Sequence, residues 1–188
     1  MDMLPSLNYR LFATASAPRE PGDFSWIGFQ QNDSRADGMT KEELLGSINH
    51  TQEDADTLNL SGNGLGLSEP TLLSAIFQVS KENFTRVNLS HNALNLMEIS
   101  HLIAALSRIP SSVLTLDLNN NKLGKLNFEQ FKQVINALPI NTLERVNVFN
   151  NGLQNYPEMQ INAFIDTFHG KIKTIDSDYE ARPAPRLP

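Results

Sequence analysis

None of the 188 residues is a cysteine. That single absence excludes disulfide frameworks, thiol nucleophiles, haem attachment and cysteine-rich zinc sites. Positive charge is scarce too: 15 Lys and Arg stand against 21 Asp and Glu, a net charge of −6. Such a balance argues against phosphate backbones or anionic lipid as the main target, so no nucleic-acid partner is expected. Apolar runs extend over a few residues only, far short of the roughly 20 needed to span a bilayer. The opening Met1-Asp2-Met3-Leu4-Pro5-Ser6 has neither the basic region nor the apolar stretch of a secretory signal. No membrane insertion is expected, and a cytoplasmic location is the default.

What the chain has in abundance is Leu and Asn, 25 and 20 of them, nearly a quarter of all residues. Leu favours helices, but Asn is a poor interior helix former, so one regular device must place both. Four segments superimpose: Ala55-x-x-Leu58-x-Leu60-x-x-Asn63-x-Leu65, Phe84-x-x-Val87-x-Leu89-x-x-Asn92-x-Leu94, Val113-x-x-Leu116-x-Leu118-x-x-Asn121-x-Leu123 and Leu143-x-x-Val146-x-Val148-x-x-Asn151-x-Leu153. The Asn residues follow one another at 29, 29 and 30 positions, the extra residue falling in Pro139-Ile140-Asn141-Thr142. Fixed-period self-similarity of this kind is the signature of a solenoid.

These residues resemble the leucine-rich repeat, and their period resembles its ribonuclease-inhibitor-like subtype. The resemblance covers about 55–153 well and about 26–180 with degenerate ends. It implies an α/β fold: a short right-handed horseshoe with a parallel concave sheet and convex helices. The residues support that geometry independently. Each Leu-x-Leu alternation has period two, sending its apolar members inward and the intervening ones to solvent. Between strands the period becomes helical. Ten residues after each Asn stands Leu73, Leu102, Phe131 or Ile161, and fourteen after it Phe77, Leu106, Ile135 or Ile165. Positions four apart share a helix face, which predicts helices over 68–80, 97–108, 127–138 and 158–169. Parallel strands need such crossovers.

The repeated Asn63, Asn92, Asn121 and Asn151 are expected to form a structural ladder. Where the chain turns inward after each strand, backbone groups lose their sheet partners, and a carboxamide can both donate to and accept from them. The ends are degenerate. Trp26-x-x-Phe29 keeps the repeat register while Gln31 replaces the next Leu, so 26–54 reads as a decayed N-terminal cap repeat. Thr40-Lys41-Glu42-Glu43 then opens a helix burying Leu44, Leu45 and Ile48. Residues 1–25 form an extension with at most one short helix around 5–15. Residues 55–170 hold the four repeats. A C-terminal cap strand is expected within 171–180, where Ile172-x-x-Ile175 fits the pattern and Glu180 takes the Asn position, and 181–188 is a disordered Pro-rich tail.

No catalytic constellation stands out. His50, His91, His101 and His169 occupy unrelated repeat positions, and no two have metal-ligand spacing. Gly62-Asn63-Gly64-Leu65-Gly66 lacks the Lys-Ser/Thr of a phosphate loop and is better explained by the repeat turn. Asn-Leu-Ser at 59–61 and 88–90 match glycosylation sequons but follow from the repeat. The chain is expected not to be an enzyme and to need no cofactor or metal. In particular it has no cysteine for the ubiquitin ligase chemistry that some bacterial leucine-rich repeat proteins carry.

A surface remains. The outward strand residues form columns: Thr57, Arg86, Thr115, Arg145, Thr174; then Asn59, Asn88, Asp117, Asn147, Asp176; then Ser61, Ser90, Asn119, Phe149, Asp178. Most of these suit a solvated sheet face. Arg86 and Arg145, with Asp117 diagonally between them, and Phe149, where the earlier repeats have Ser, Ser and Asn, are of the types enriched at interface hot spots. The candidate partner-binding residues are therefore Arg86, Asn88, Asp117, Asn119, Arg145, Asn147, Phe149 and Asp176. Phe149 has a second reading, as a cap residue folded against Tyr179.

The expected function is protein–protein interaction through the concave face. By resemblance, small cysteine-free repeats of this kind look like the leucine-rich repeat effectors that intracellular bacteria inject into host cells, and a short chain starting at Met1 fits that group. The partner would be a host protein or another bacterial effector, the free chain a monomer, and delivery would need no cleavable signal peptide. A regulatory repeat domain of a larger sensor and an unrecognised enzyme are the alternatives.

Overall fold

A computed structural model describes residues 10–13, 27–30, 38–39, 41–51, 56–80, 84–166 and 171–177. Expectations that rest on Trp26, Thr40, His169, Asp178, Tyr179, Glu180 and the tail 181–188 lie outside the described residues. Five three-residue strands alternate with four helices: β4 (Thr57–Asn59), α2 (Leu72–Val79), β5 (Arg86–Asn88), α3 (Ile99–Leu106), β6 (Thr115–Asp117), α4 (Phe128–Asn136), β7 (Arg145–Asn147), α5 (Glu158–Asp166) and β8 (Thr174–Asp176). They are preceded by β1 (Arg10–Ala13), β2 (Ile27–Gln30), β3 (Gly38–Met39) and α1 (Lys41–Thr51). β4 to β8 form one parallel sheet in chain order, each helix crossing over to the next strand. This is an α/β solenoid whose apolar layers repeat coil by coil: Leu58, Val87, Leu116 and Val146 from the strands, Leu73, Leu102, Phe131 and Ile161 from the helices, all buried.

The first two repeat helices start later than the apolar period alone predicts, α2 by four residues and α3 by two, while α4 and α5 start within one residue of expectation. After each ladder Asn the chain first closes a short 3-10 turn, at Leu65–Leu67, Leu94–Leu96, Leu123–Lys125 and Leu153–Asn155. The residue after each turn is extended, so the α-helix cannot begin there. Entry to α4 is fixed by a reciprocal cap: Gln130 N–H donates to Asn127 Oδ1 at 2.9 Å and Asn127 N–H to Gln130 Oε1 at 3.1 Å.

The residues on either side of each ladder Asn are left-handed. Gly62 and Gly64, His91 and Ala93, Asn120 and Lys122, and Asn150 and Gly152 have φ between 51° and 74°. That explains the Gly62-Asn63-Gly64 run as backbone geometry, since glycine adopts this region without steric cost. Gly66 and Gly124 answer a different need, close coil stacking. A Cβ at Gly66 would lie 1.9 Å from the Ala93 carbonyl oxygen, and one at Gly124 2.1 Å from that of Gly152.

At the N-terminal end the helix expected to bury Leu44, Leu45 and Ile48 is present as α1; Leu44 and Ile48 are buried in the solenoid core and Leu45 packs against it only partly buried. Lys41 Nζ meets Glu69 Oε1 at 2.9 Å, tying α1 to the approach to α2. Ahead of it the structure differs from expectation. β1 occupies part of the stretch where a short helix was expected, and it pairs antiparallel with both β2 and β3. Two strand neighbours outweigh the helical propensity of Arg10-Leu11-Phe12-Ala13, which is good residue by residue but too short to hold a helix alone. β2 thus belongs to this separate antiparallel sheet and does not extend the parallel one.

At the other end α5 packs less closely on α4 than α2, α3 and α4 pack on one another. Phe164 takes the α5 position that Ile76, Ala105 and Val134 hold in the earlier helices. Its ring sits 5.2 Å from Phe131 and 6.2 Å from Phe128, centroid to centroid, in a cluster completed by Tyr156. These larger side chains hold α5 away from the stack.

Candidate functional site

The strand register places the outward columns as the repeat predicts: Thr57, Arg86, Thr115, Arg145 and Thr174 lie side by side, as do Asn59, Asn88, Asp117, Asn147 and Asp176. Backbone bonds carry the ladder past the strand ends. Gly62 N–H donates to Ser90 O, His91 N–H to Asn119 O and Asn120 N–H to Phe149 O. Ser61, Asn119 and Phe149 therefore continue the same face, whereas Ser90, expected in that outward column, is buried.

Arg86, Asp117 and Arg145 do not form one cluster. Arg86 turns toward the first coil, bonding Asp56 with its guanidinium end and Thr57 Oγ1 through Nε at 3.1 Å. Arg145 turns the other way, with Nε 2.6 Å from Asp176 Oδ2. Asp117 bonds neither arginine; its Oδ1 accepts from Asn119 N–H at 2.8 Å. The same local bond recurs down the column, from Ser61 N–H to Asn59, Ser90 N–H to Asn88 and Phe149 N–H to Asn147. A side-chain oxygen accepting from the amide two residues on is an Asx turn. Asn88, Asp117 and Asn147 thus shape the exit from each strand, while only part of each side chain meets solvent. Asn119 accepts from Asn120 Nδ2 at 2.5 Å.

Phe149 is 40 % exposed. Its alternative partner Tyr179 lies outside the described residues. Two residues of this face escaped the sequence reading. Asp56, the partner of Arg86, sits one place before β4, and Leu114, an exposed apolar residue, sits one place before β6. Both belong to a column that reads Asp56, Thr85, Leu114, Glu144, Lys173, in which Lys173 and Glu144 form a further ion pair. The Leu at 114, in a column otherwise polar or charged, was the available signal.

The ladder asparagines are occupied by the fold. Asn121 Oδ1 accepts from Asn92 N–H at 3.0 Å and Leu94 N–H at 3.3 Å, while Nδ2 donates to Leu89 O and Leu118 O, each at 2.9 Å. Asn92 and Asn151 repeat the pattern on their own and the preceding coil. All four ladder residues, Asn63 included, are at most 2 % exposed.

Glu98, Ser100 and His101 bring a carboxylate, a hydroxyl and an imidazole together, but in a helix cap. Glu98 Oε2 accepts from the Ser100 hydroxyl and from the backbone N–H groups of Ser100 and His101. The Ser100 hydroxyl bond, followed by its backbone bond, lowers the Glu98 pKa. The hydroxyl thus points at the carboxylate and not at the imidazole. His91 Nε2 lies 3.2 Å from Asn120 Nδ2 on the exposed turn. Among the described residues no group of three or more His, Asp or Glu could hold a metal ion, and no helix is long and apolar enough to cross a membrane.

Comparison with solved structures identifies the architecture. The crystal structure of the leucine-rich repeat-containing protein LegL7 from Legionella pneumophila superimposes with a TM-score of 0.54 at 23 % identity, covering 74 % of this chain and 52 % of that one. The fold is that of a leucine-rich repeat solenoid. Coils of the same kind thus run through both chains, and this one spans about half the length of LegL7. No protein-family model matches the sequence. No curated protein matches it either.

Proposed function

We propose that this leucine-rich repeat chain is a non-enzymatic protein-binding module that grips a partner protein with its concave face. The observation that carries the reading is Phe149, 40 % exposed just past β7 on a face otherwise polar and lined by ion-paired arginines, with Leu114 exposed at the opposite end of the neighbouring strand. Arg86–Asp56 and Arg145–Asp176 are solvent-facing pairs, of the sort worth about 0–1 kcal/mol. An incoming carboxylate can take over either arginine at little cost, while Phe149 supplies area that gains from being covered. Arg86, Asn88, Asp117, Asn119, Arg145, Asn147, Phe149 and Asp176 make up the binding face, the Asx residues by shaping it and the others by contact.

The similarity to a Legionella protein supports a bacterial chain that acts as an effector or effector regulator, on a host protein or on another effector. In this reading it is a monomer when free and acts in the cytoplasm of the cell that receives it. Affinity capture from host and bacterial lysates, with wild type beside an Arg86→Glu, Arg145→Glu, Phe149→Ala variant, tests it. The variant loses the partners that wild type retains. Identical partner lists from the two would remove the concave face from consideration.

A further inference from the structure

The 3-10 turns carry a second surface. Leu67 and Leu96 end the first two turns and are 63 % and 55 % exposed. They stand outside the six positions that build the core, and their equivalents in the third and fourth coils are Lys125 and Asn155. Two large apolar side chains in solvent on adjoining turns are unfavourable unless something covers them. Lys125 continues the row on the third turn, and Lys122, also exposed, begins that turn. Among the described residues no carboxylate pairs with either lysine. The nearby acids are engaged elsewhere: Glu69 by Lys41 and Thr71, Glu98 by Ser100 and the start of α3. The rim therefore reads as an apolar step of two coils followed by a cationic step, in a chain whose net charge is −6.

We propose that this rim docks an extended acidic segment of another protein. The segment carries a bulky apolar residue against Leu67 and Leu96 and a pair of carboxylates facing Lys122 and Lys125. Coils stack about 4.8 Å apart and an extended chain rises about 3.3 Å per residue, so the acids lie about two residues from the apolar anchor. The positive charge excludes a basic segment, and the apolar step separates the rim from simple anion binding. This surface lies on the turns that leave the strands, and it does not include Phe149 or the arginine column.

The probe is a phage library of random dodecapeptides selected on the full chain. Enriched peptides should carry an apolar residue with acidic residues about two positions away, and should weaken with added salt. Their affinity should fall about tenfold or more for Leu67→Ser, Leu96→Ser and for Lys122→Glu, Lys125→Glu, and stay unchanged for Phe149→Ala. Thermal melts by circular dichroism establish that the variants fold, with Leu67→Ala, Leu96→Ala as the milder pair if the serines do not. No enrichment, enriched peptides indifferent to the rim substitutions, or equal loss with Phe149→Ala would overturn the proposal. So would rim-dependent binding to phosphatidylserine–phosphatidylcholine vesicles without peptide binding, which would assign the surface to a membrane.

Discussion

Replacing Asn121 tests whether the ladder is a hydrogen-bonding device or only a well-packed column. Truncation to Ala removes one acceptor from the Asn92 and Leu94 amides and one donor group from the Leu89 and Leu118 carbonyls. Each buried group left unpaired costs roughly 1–3 kcal/mol. The Leu94 bond is long, and the vacated space invites a water that rescues part of the loss. The net cost should be about 3–5 kcal/mol. With a urea dependence of about 2 kcal/mol per molar, the midpoint of unfolding should fall by about 2 M. Asn121→Asp sharpens the test, because it preserves shape and both acceptor bonds. Its second oxygen would face the Leu89 and Leu118 carbonyls and would bury a charge, so at neutral pH it should be no more stable than the Ala variant. Lowering the pH into the carboxylate range protonates it, restores one donor and should recover part of the loss. Urea titrations followed by far-ultraviolet circular dichroism measure all three proteins. An Ala variant within about 1 kcal/mol of wild type, or an Asp variant equal to wild type, would refute the hydrogen-bonding account.

Gly66→Ala should be among the most damaging single changes, about 3 kcal/mol or more, because the new carbon meets backbone and not a movable side chain. The neighbouring Ala93→Gly should do the opposite, gaining about 0.5–1 kcal/mol by relieving a non-glycine residue at φ 51; thermal melts compare the two. Tyr156 donates its hydroxyl to Leu123 O and Leu126 O, and burial pushes its pKa up to about 12 from 10.0. The folded state thus holds this proton more tightly than the unfolded chain, and stability present below pH 10 is lost as pH rises toward about 12. Urea midpoints across that range should fall more steeply for wild type than for Tyr156→Phe.

The repeated part of the fold was legible because the same physical demand is written four times. A Leu-x-Leu strand, an Asn turn and a helical stripe each gain certainty from their copies, and the columns read from spacing coincide with the strand register. The 3-10 turns that follow each ladder Asn were not legible, because the left-handed backbone that opens them at Ala93 and Lys122 leaves no trace in residues that ordinarily avoid it. The N-terminal strands were missed for a related reason: β1 to β3 are short and occur once, and pairing decides them more than local preference does. On the concave face, residue type could not separate Asn88 and Asn147 as shapers of the strand exit from contact residues. Nor could it say that Arg86 would turn to Asp56 instead of Asp117.

The direction of the Asn bonds has a mechanical meaning. Each interior side chain ties its own coil to the preceding one only, and those ties run along the stack. A pull applied along the stack therefore loads the couplings in series, and no bond spans more than one interface to share the force. Such a chain should come apart in quanta, a 29-residue coil releasing about 100 Å of contour each time. It would lengthen like a ratchet strap let out one notch at a time, keeping the coils beyond the break intact.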